Sequence, residues 1–265
     1  MIEQVKKYKK NINKTFYTDH PKLSVIILSF NHLNNVENIF VKLNQNKYIE
    51  EIIICEDGSI DGSLDKWIKL LNERKHILIR THDFHEIRSY DRAIQYARGD
   101  IICLLQDDDN IIKDDWTKNA LDLFNKYPKL GVLGGCSAQT KPWNPDFIGQ
   151  SCNEPFRFHD PTLNIPFMFA CTVNKAPFFI KKKLYNKIGG FDYSFSDVGN
   201  CDNQVEVDLC YRIWLNNYQV GLYKSNFDRS KEWNKKCKGG SFIYSNESRA
   251  GKNKIKGNDI IEDKY

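Results

Sequence analysis

The feature that most constrains the fold is a set of short apolar runs that alternate with segments of helical periodicity. The runs at Leu23–Phe30, Glu51–Cys55 and Asp100–Gln106 have the composition of strands buried on both faces of a sheet. Between them, residues 34–44 and 90–97 repeat apolar side chains at the spacing of helices. Strands and helices that alternate with short links predict an α/β domain with a mostly parallel central sheet.

Residues with functional side chains follow these runs at the point where each strand ends. Ser29 and Phe30 close the first run, Asp57 follows the second, and Asp107–Asp109 follow the third. Ligands bind open parallel sheets beyond the carboxyl ends of the strands. We therefore expect these residues to converge on one crevice.

Three consecutive aspartates, Asp107, Asp108 and Asp109, repel one another unless a cation lies between them. Oxygen ligands without a nearby histidine or cysteine favour Mg²⁺ or Mn²⁺, which commonly also coordinate substrate phosphates. A solvated turn that caps the helix around Trp116 would be the alternative. The position at a strand end favours the metal site.

Three segments, in this order, resemble the nucleotide-binding half of the family 2 glycosyltransferases with the GT-A fold. They contain Leu-Ser-Val-Ile-Ile-x-Ser-Phe-Asn at 23–31, Glu-Asp-Gly-Ser-x-Asp-Gly-Ser at 56–63 and an Asp-x-Asp element within 88–110. The resemblance, which covers residues 22–225, implies a single Rossmann-like GT-A domain. Its predicted parts are a polar tail (1–20), a nucleotide-binding half (21–115), an acceptor-side half (116–230) and a basic extension (231–265).

The resemblance also implies roles for residues of the nucleotide-binding half. Ser29 and Phe30 would lie near the uracil ring, and Asp57 would accept a hydrogen bond from the N3–H of the base. Arg88 would face the base or the diphosphate, although a surface ion pair would explain it equally well.

The Asp-x-Asp element departs from the family pattern at its first position. Gln106 stands where many relatives have an aspartate, so we read the motif as Asp107-Asp108-Asp109. Asp107 would then lie near the ribose or sugar. Asp108 and Asp109 would bind Mn²⁺ or Mg²⁺, with Asp108 the principal ligand.

A second match, on the acceptor side, implies the general base. The segments 189–192 (Gly-Gly-Phe-Asp) and 206–212 (Glu-Val-Asp-Leu-Cys-Tyr-Arg) resemble the family's acceptor-side element. They place Glu206 as the base and Asp208 as a second catalytic carboxylate. The interval before Glu206 is longer than usual, which leaves Asp197 and Asp202 as rival bases. Asp208 could also simply pair with the arginine four residues later.

These motifs predict an inverting, metal-dependent glycosyltransferase of the hexosyltransferase type. It would move a sugar from a nucleotide-sugar donor, preferably UDP-linked, to a hydroxyl of a glycan or similar acceptor. A sugar-phosphate nucleotidyltransferase is one alternative, but it would normally have a glycine-rich phosphate loop where this chain has 29–33, Ser-Phe-Asn-His-Leu. A catalytically inactive glycan- or nucleotide-binding module is the other.

The composition of the chain limits its expected partners and its expected location in the cell. The net charge of +5 suits an anionic small substrate but decides nothing alone, and we expect no nucleic-acid partner. The apolar runs are too short to span a bilayer, and the basic N-terminus has no apolar signal-peptide region. We therefore expect a cytoplasmic chain whose eight cysteines are mostly reduced core thiols.

Overall fold

A computed structural model of the protein describes residues 21–71, 75–82, 84–141, 149–151, 154–175, 177–195, 204–228 and 249–265, with the backbone alone over 249–256. The strands are β1 (Leu23–Ser29), β2 (Ile49–Glu56), β3 (Ile77–Arg80), β4 (Ile101–Gln106), β5 (Leu130–Gly134), β6 (Ser137–Gln139), β7 (Gln150–Ser151), β8 (Phe167–Phe169), β9 (Thr172–Val173), β10 (Phe178–Lys181) and β11 (Gln219–Tyr223). The helices are α1 (Leu33–Asn44), α2 (Ser63–Leu70), α3 (His85–Tyr96), α4 (Asp115–Lys126), α5 (Lys182–Lys187), α6 (Val205–Leu215) and α7 (Arg249–Lys264).

The central sheet has eight strands in the order β3-β2-β1-β4-β10-β5-β11-β8. Strand β1 pairs in parallel with β2 and β4, β2 with β3, and β5 with β11. Strand β10 is antiparallel to β4 and β5, and β8 is antiparallel to β11. A small antiparallel sheet, β7-β6-β9, lies beside it. The predicted α/β architecture with a mostly parallel sheet is confirmed.

Helices cover both faces of the sheet, which explains why its strands are apolar throughout. Ile26 and Ile53 pack with residues of α3, α5 and α6 in one core cluster, whereas Val25 and Ile52 pack with α1, α2 and α4 in another. All four side chains are fully buried. Burial of one such side chain stabilises the fold by about 1.5–3 kcal/mol, so the alternation along each strand fixes its register.

Helix α3 begins at His85, earlier than the predicted start at Tyr90. The cause is a cap supplied by a distant part of the chain. The Asp57 carboxylate accepts hydrogen bonds from the backbone N–H groups of Phe84, at 2.9 Å, and His85, at 2.8 Å. These bonds satisfy donors that the first turn of a helix leaves unpaired.

The C-terminal segment contains a helix that the polar sequence did not indicate. Helix α7 ends against the domain, with Ile261 only 3% exposed and the Tyr265 ring 5.1 Å from that of Tyr211. No helix in the described part of the chain is both long and apolar enough to cross a membrane.

Several cysteines occupy the core as predicted. Among the described residues, Cys55, Cys103 and Cys210 are buried free thiols. Burial raises the pKa of the Cys55 thiol to about 12, so it stays protonated and behaves as a small apolar side chain.

Candidate active site

The ends of β1, β2 and β4 are joined by hydrogen bonds. The backbone N–H of Phe30, after β1, donates to the Asp107 carboxylate, after β4, at 2.8 Å. The backbone N–H of Asn31 donates to the Ser59 hydroxyl, after β2, at 2.9 Å. The three predicted strand ends therefore form one rim, as the parallel topology requires.

The three aspartates of the run point in different directions. Asp109 is 1% exposed, and its carboxylate accepts the backbone N–H of Gln106 at 2.9 Å. We predicted Asp109 as a metal ligand; its carboxylate is instead buried against the backbone of its own turn. Asp107 is 8% exposed and holds Phe30, whereas Asp108 is more exposed than either neighbour.

This arrangement fits a metal ion completed by its substrate. Among the described residues, no group of three or more histidine, cysteine or acidic side chains forms a closed metal site. Mg²⁺ and Mn²⁺ sites in phosphoryl-binding enzymes commonly use one or two carboxylates and take further ligands from phosphates and water. Asp108, with Asp107 beside it, provides that donor set.

His32 shares the electrostatic environment of the run. Its Nδ1 lies 3.4 Å from the Asp107 carboxylate. Burial acts to lower the pKa of His32, but Asp107 and then Asp108 outweigh it, and the pKa is raised above its ordinary value. Negative charge is therefore concentrated at the end of β4.

An open cleft of about 680 Å³ lies beyond the end of β2. Its polar lining includes Glu56, Arg80, Thr81, His82 and Arg92. Asp57 lies behind this wall, 5% exposed, and accepts the Thr81 hydroxyl at 2.7 Å. Asp57 therefore holds the cleft wall in place as well as capping α3.

Two residues predicted to bind the nucleotide, Ser29 and Arg88, do not line this cleft. Ser29 is fully buried, and its hydroxyl accepts the indole N–H of Trp67 at 2.8 Å, so its side chain belongs to the core. Arg88 stacks on Tyr193, 4.4 Å from the ring centroid, rather than facing the cleft. Arg92, one helical turn after Arg88, lines the cleft instead, and this i+4 spacing was the signal available in the sequence.

The predicted base lies in the first turn of α6. The Glu206 carboxylate is 16% exposed and lies 3.8 Å from the Lys175 ammonium. The rival carboxylates, Asp197 and Asp202, fall within 196–203, which lie outside the described residues. Lys175 was not identified from the sequence because no motif surrounds it.

Asp208, predicted as a second catalytic carboxylate, lies in a buried ionic network instead. It is fully buried. One oxygen accepts the Arg212 Nε–H at 2.8 Å, and the other accepts Lys264 Nζ at 2.5 Å and the Tyr265 hydroxyl at 2.8 Å. These contacts tie α6 to α7 and engage both oxygens of the Asp208 carboxylate.

The Gly-Gly-Phe-Asp turn joins the same network. Gly189 and Gly190 have φ of +84° and +70°, a conformation that side chains other than glycine rarely adopt. The turn delivers Asp192 to Lys264 Nζ, at 2.9 Å. Partial burial would raise the pKa of Asp192, but hydrogen bonds from Lys264 and Ser194 lower it to about 2.

The network predicts a large effect on stability. Asp208→Ala would leave the Arg212 guanidinium, whose side chain is 17% exposed, without its fully buried partner, and breaking a buried pair in this way costs about 3–5 kcal/mol. We expect a loss of that size in the free energy of unfolding, measured by urea denaturation.

Glu37→Ala is the matched control for this prediction. Glu37 pairs with Lys66 at 2.6 Å, but its side chain is 65% exposed, and such surface pairs contribute about 0–1 kcal/mol. An Asp208→Ala protein no less stable than the Glu37→Ala protein would contradict a stabilising role for the network.

Known proteins resemble this structure. Solved structures with the same fold include GalNAc-T7 with UDP, GalNAc and Mn²⁺ (TM-score 0.60, 16% identity, 80% of this chain and 44% of that chain). They also include the mannosyltransferase PcManGT from Pyrobaculum calidifontis with GDP-Man and Mn²⁺ (TM-score 0.57, 15% identity, 86% of this chain and 65% of that chain). A third is S. aureus TarS 1-349 with UDP-GlcNAc (TM-score 0.55, 16% identity, 87% of this chain and 69% of that chain). The predicted GT-A fold is confirmed.

Sequence comparison assigns the family. A curated relative from Sinorhizobium fredii (strain NBRC 101917 / NGR234), the uncharacterized protein y4gI, is 24% identical over 220 residues, which are 73% of this chain and 22% of the relative. The chain thus spans about a fifth of the length of that relative. The model of glycosyl transferase family 2 matches residues 24–187, well over half of the chain. The matched span includes β2, β4, nearly all of β1 and the aspartates that follow β4. The chain therefore belongs to glycosyl transferase family 2.

Proposed function

We propose that the protein transfers a sugar from a nucleotide-sugar donor, preferably UDP-linked, to a hydroxyl of a glycan or similar acceptor, with inversion at the anomeric carbon. The observation that carries the proposal is the rim at the ends of β1, β2 and β4, where Asp108 is the most exposed of the three aspartates that follow β4. An open cleft lies beyond the end of β2, at the same edge of the sheet. Family membership supports it, as do the nucleotide sugars or nucleotides bound to the similar structures.

The cleft beyond β2 suits the nucleoside. Phe30, partly exposed at the rim, would pack near the base. Arg80 and Arg92 offer positive charge along the cleft wall, which attracts an anionic nucleotide. Asp57 would fix this wall through Thr81, and its direct contact with the N3–H of the base remains a prediction.

Asp108 would hold Mn²⁺ or Mg²⁺, with Asp107 beside it, and the diphosphate would supply further oxygen ligands. A divalent ion bound there stabilises the negative charge that develops on the leaving diphosphate. The Mn²⁺ in two of the similar structures supports this choice of metal.

Glu206 would act as the general base, on the side of the sugar opposite the leaving diphosphate. It would accept the proton of the acceptor hydroxyl while the acceptor oxygen bonds to the anomeric carbon. The bond between that carbon and the diphosphate oxygen breaks in the same step, and its electron pair leaves with the nucleoside diphosphate. The partly exposed carboxylate of Glu206, in the first turn of α6, supports this role as base.

The test is donor turnover in the presence of Mn²⁺. The protein is incubated with a panel of UDP-, GDP- and dTDP-sugars, and the released nucleoside diphosphate is measured, with EDTA-treated protein as the control. We expect slow, Mn²⁺-stimulated hydrolysis of one donor, UDP-linked by preference. Donor binding without any release would favour the inactive binding module, and pyrophosphate release from a nucleoside triphosphate and a sugar phosphate would favour a nucleotidyltransferase.

A further inference from the structure

A row of polar contacts crosses the site between the end of β4 and the start of α6. The Gln106 side-chain amide donates to the Glu86 carboxylate at 2.5 Å. The other Glu86 oxygen accepts Lys175 Nζ at 2.6 Å. Lys175 Nζ in turn lies 3.8 Å from the Glu206 carboxylate. We call Gln106, Glu86, Lys175 and Glu206 the bridging row.

The bridging row joins four separate parts of the fold. Gln106 ends β4, Glu86 is in the first turn of α3, Lys175 lies between β9 and β10, and Glu206 is in the first turn of α6. The side chains of Glu86, Lys175 and Glu206 are 14%, 11% and 16% exposed. Charges with so little exposure are screened less by water and salt than surface charges, so their mutual arrangement affects the site strongly.

The contacts of Lys175 with Glu86 and with Glu206 differ in length, and the difference suits a reaction. The 2.6 Å contact with Glu86 is a charge-assisted hydrogen bond. The 3.8 Å contact with Glu206 is longer than a hydrogen bond, so it attracts the carboxylate without occupying it as a donor would. Glu206 can therefore be oriented by Lys175 and still accept a proton.

The row also explains why glutamine is suited to position 106. A neutral amide donates to Glu86, whereas an aspartate at this place would add a third carboxylate beside one ammonium. Like charges at such short range disfavour the ionised forms. Gln106 and Glu86 thus form a matched pair, in which the amide satisfies the glutamate that anchors Lys175.

We propose that Lys175 is a positioning residue for the transfer reaction, anchored by Glu86 and Gln106 and directing the Glu206 carboxylate toward the acceptor hydroxyl. This inference rests on the proposed function, because it requires Glu206 to be the base. Lys175 takes no part in the proton transfer itself. Its role is to set where the carboxylate lies.

The main test is Lys175→Met, which keeps an unbranched side chain only one atom shorter and removes the charge. Misplacement of a catalytic group by about 1 Å can lower a rate about 100-fold, so we expect kcat for donor hydrolysis to fall by about 10- to 100-fold. The affinity for UDP with Mn²⁺, measured by calorimetry, should stay within a factor of about two, because the row does not hold the donor. Lys175→Arg should recover much of the rate.

A second test uses the matched pair. Gln106→Asp should lower kcat, and the double variant Gln106→Asp with Glu86→Gln should recover part of it, because the second change removes the added repulsion. Lys66→Met, which alters a lysine paired on the exposed face of α2, is the control and should leave kcat unchanged.

The outcomes separate the two levels of the proposal. A Lys175→Met protein that turns over donor as fast as the wild-type protein overturns the positioning role alone. A Lys175→Met protein that loses UDP affinity in step with kcat also overturns it, because Lys175 would then bind the donor. A wild-type protein that turns over no donor in the panel overturns the proposed function, and this role with it.

Discussion

Asp108→Ala is expected to abolish Mn²⁺-stimulated release of nucleoside diphosphate. Asp108 is the most exposed carboxylate of the run, and a metal that stabilises a leaving diphosphate lowers the barrier by several kcal/mol. Because each 1.36 kcal/mol changes a rate tenfold, we expect a fall of about 10³-fold or more. The measurement is the initial rate of donor hydrolysis over a range of Mn²⁺ concentrations.

Metal binding gives a second measurement for the same variant. Titration of Mn²⁺ in the presence of UDP should show weaker binding to Asp108→Ala, while the thermal midpoint should change little. Asp114→Ala is the matched control, because Asp114 is an exposed aspartate a short distance further along the chain. It should leave both the rate and the Mn²⁺ affinity unchanged.

The neighbouring aspartates should respond differently. Asp109 is buried and accepts a backbone N–H of its own turn, so Asp109→Ala should lower stability as well as rate. If Asp108→Ala kept Mn²⁺-stimulated turnover and Asp107→Ala lost it, the principal metal ligand would be Asp107. The assignment within the run would then shift by one residue.

The nucleotide-binding half of the sheet could be predicted because its strands carry their own signal. Parallel strands buried on both faces appear as apolar runs, and their carboxyl ends meet at one edge, so 23–30, 51–55 and 100–106 were sufficient to predict the rim. Strand β10 is different. Its short run at 178–181 does not encode that it pairs antiparallel between β4 and β5, because strand partners are chosen by the whole fold.

Elements stabilised by distant partners were harder to predict. The start of α3 depends on the Asp57 carboxylate from the end of β2, and local sequence does not show such a cap. Helix α7 is rich in lysine and contains two glycines, which weaken helix propensity, and its end packs through Ile261. In both cases tertiary contacts outweigh local preference.

The same reason explains the mixed result for site residues. Motif positions were found, but a motif does not say which of its carboxylates faces the substrate. Asp208 and Ser29 match the family pattern, yet the structure buries both. Lys175 and Glu86 lie 89 residues apart and share no motif, so only the folded structure brings them together.

Glu206→Gln is expected to lower kcat for donor hydrolysis by about 10²- to 10⁴-fold, the contribution typical of a general base. The amide has the shape of the carboxylate but cannot accept the proton. UDP affinity with Mn²⁺ and the thermal midpoint should both stay near the wild-type values, because Glu206 is partly exposed and lies 3.8 Å from Lys175, beyond hydrogen-bonding distance. Glu262→Gln, on the exposed side of α7, is the matched control and should have no effect.

The contrast between Glu206 and Asp208 allows this prediction to distinguish a catalytic carboxylate from a structural one. The two carboxylates lie two residues apart in α6, and both match the family's acidic positions. Glu206→Gln should lower the rate without a loss of stability, whereas Asp208→Ala should lower stability. A Glu206→Gln protein with full turnover would exclude it as the base and make Asp197 or Asp202 the next residue to replace. If the rate of the Glu206→Gln protein fell only in proportion to its loss of folded protein, Glu206 would be a structural partner of Lys175 and not the base.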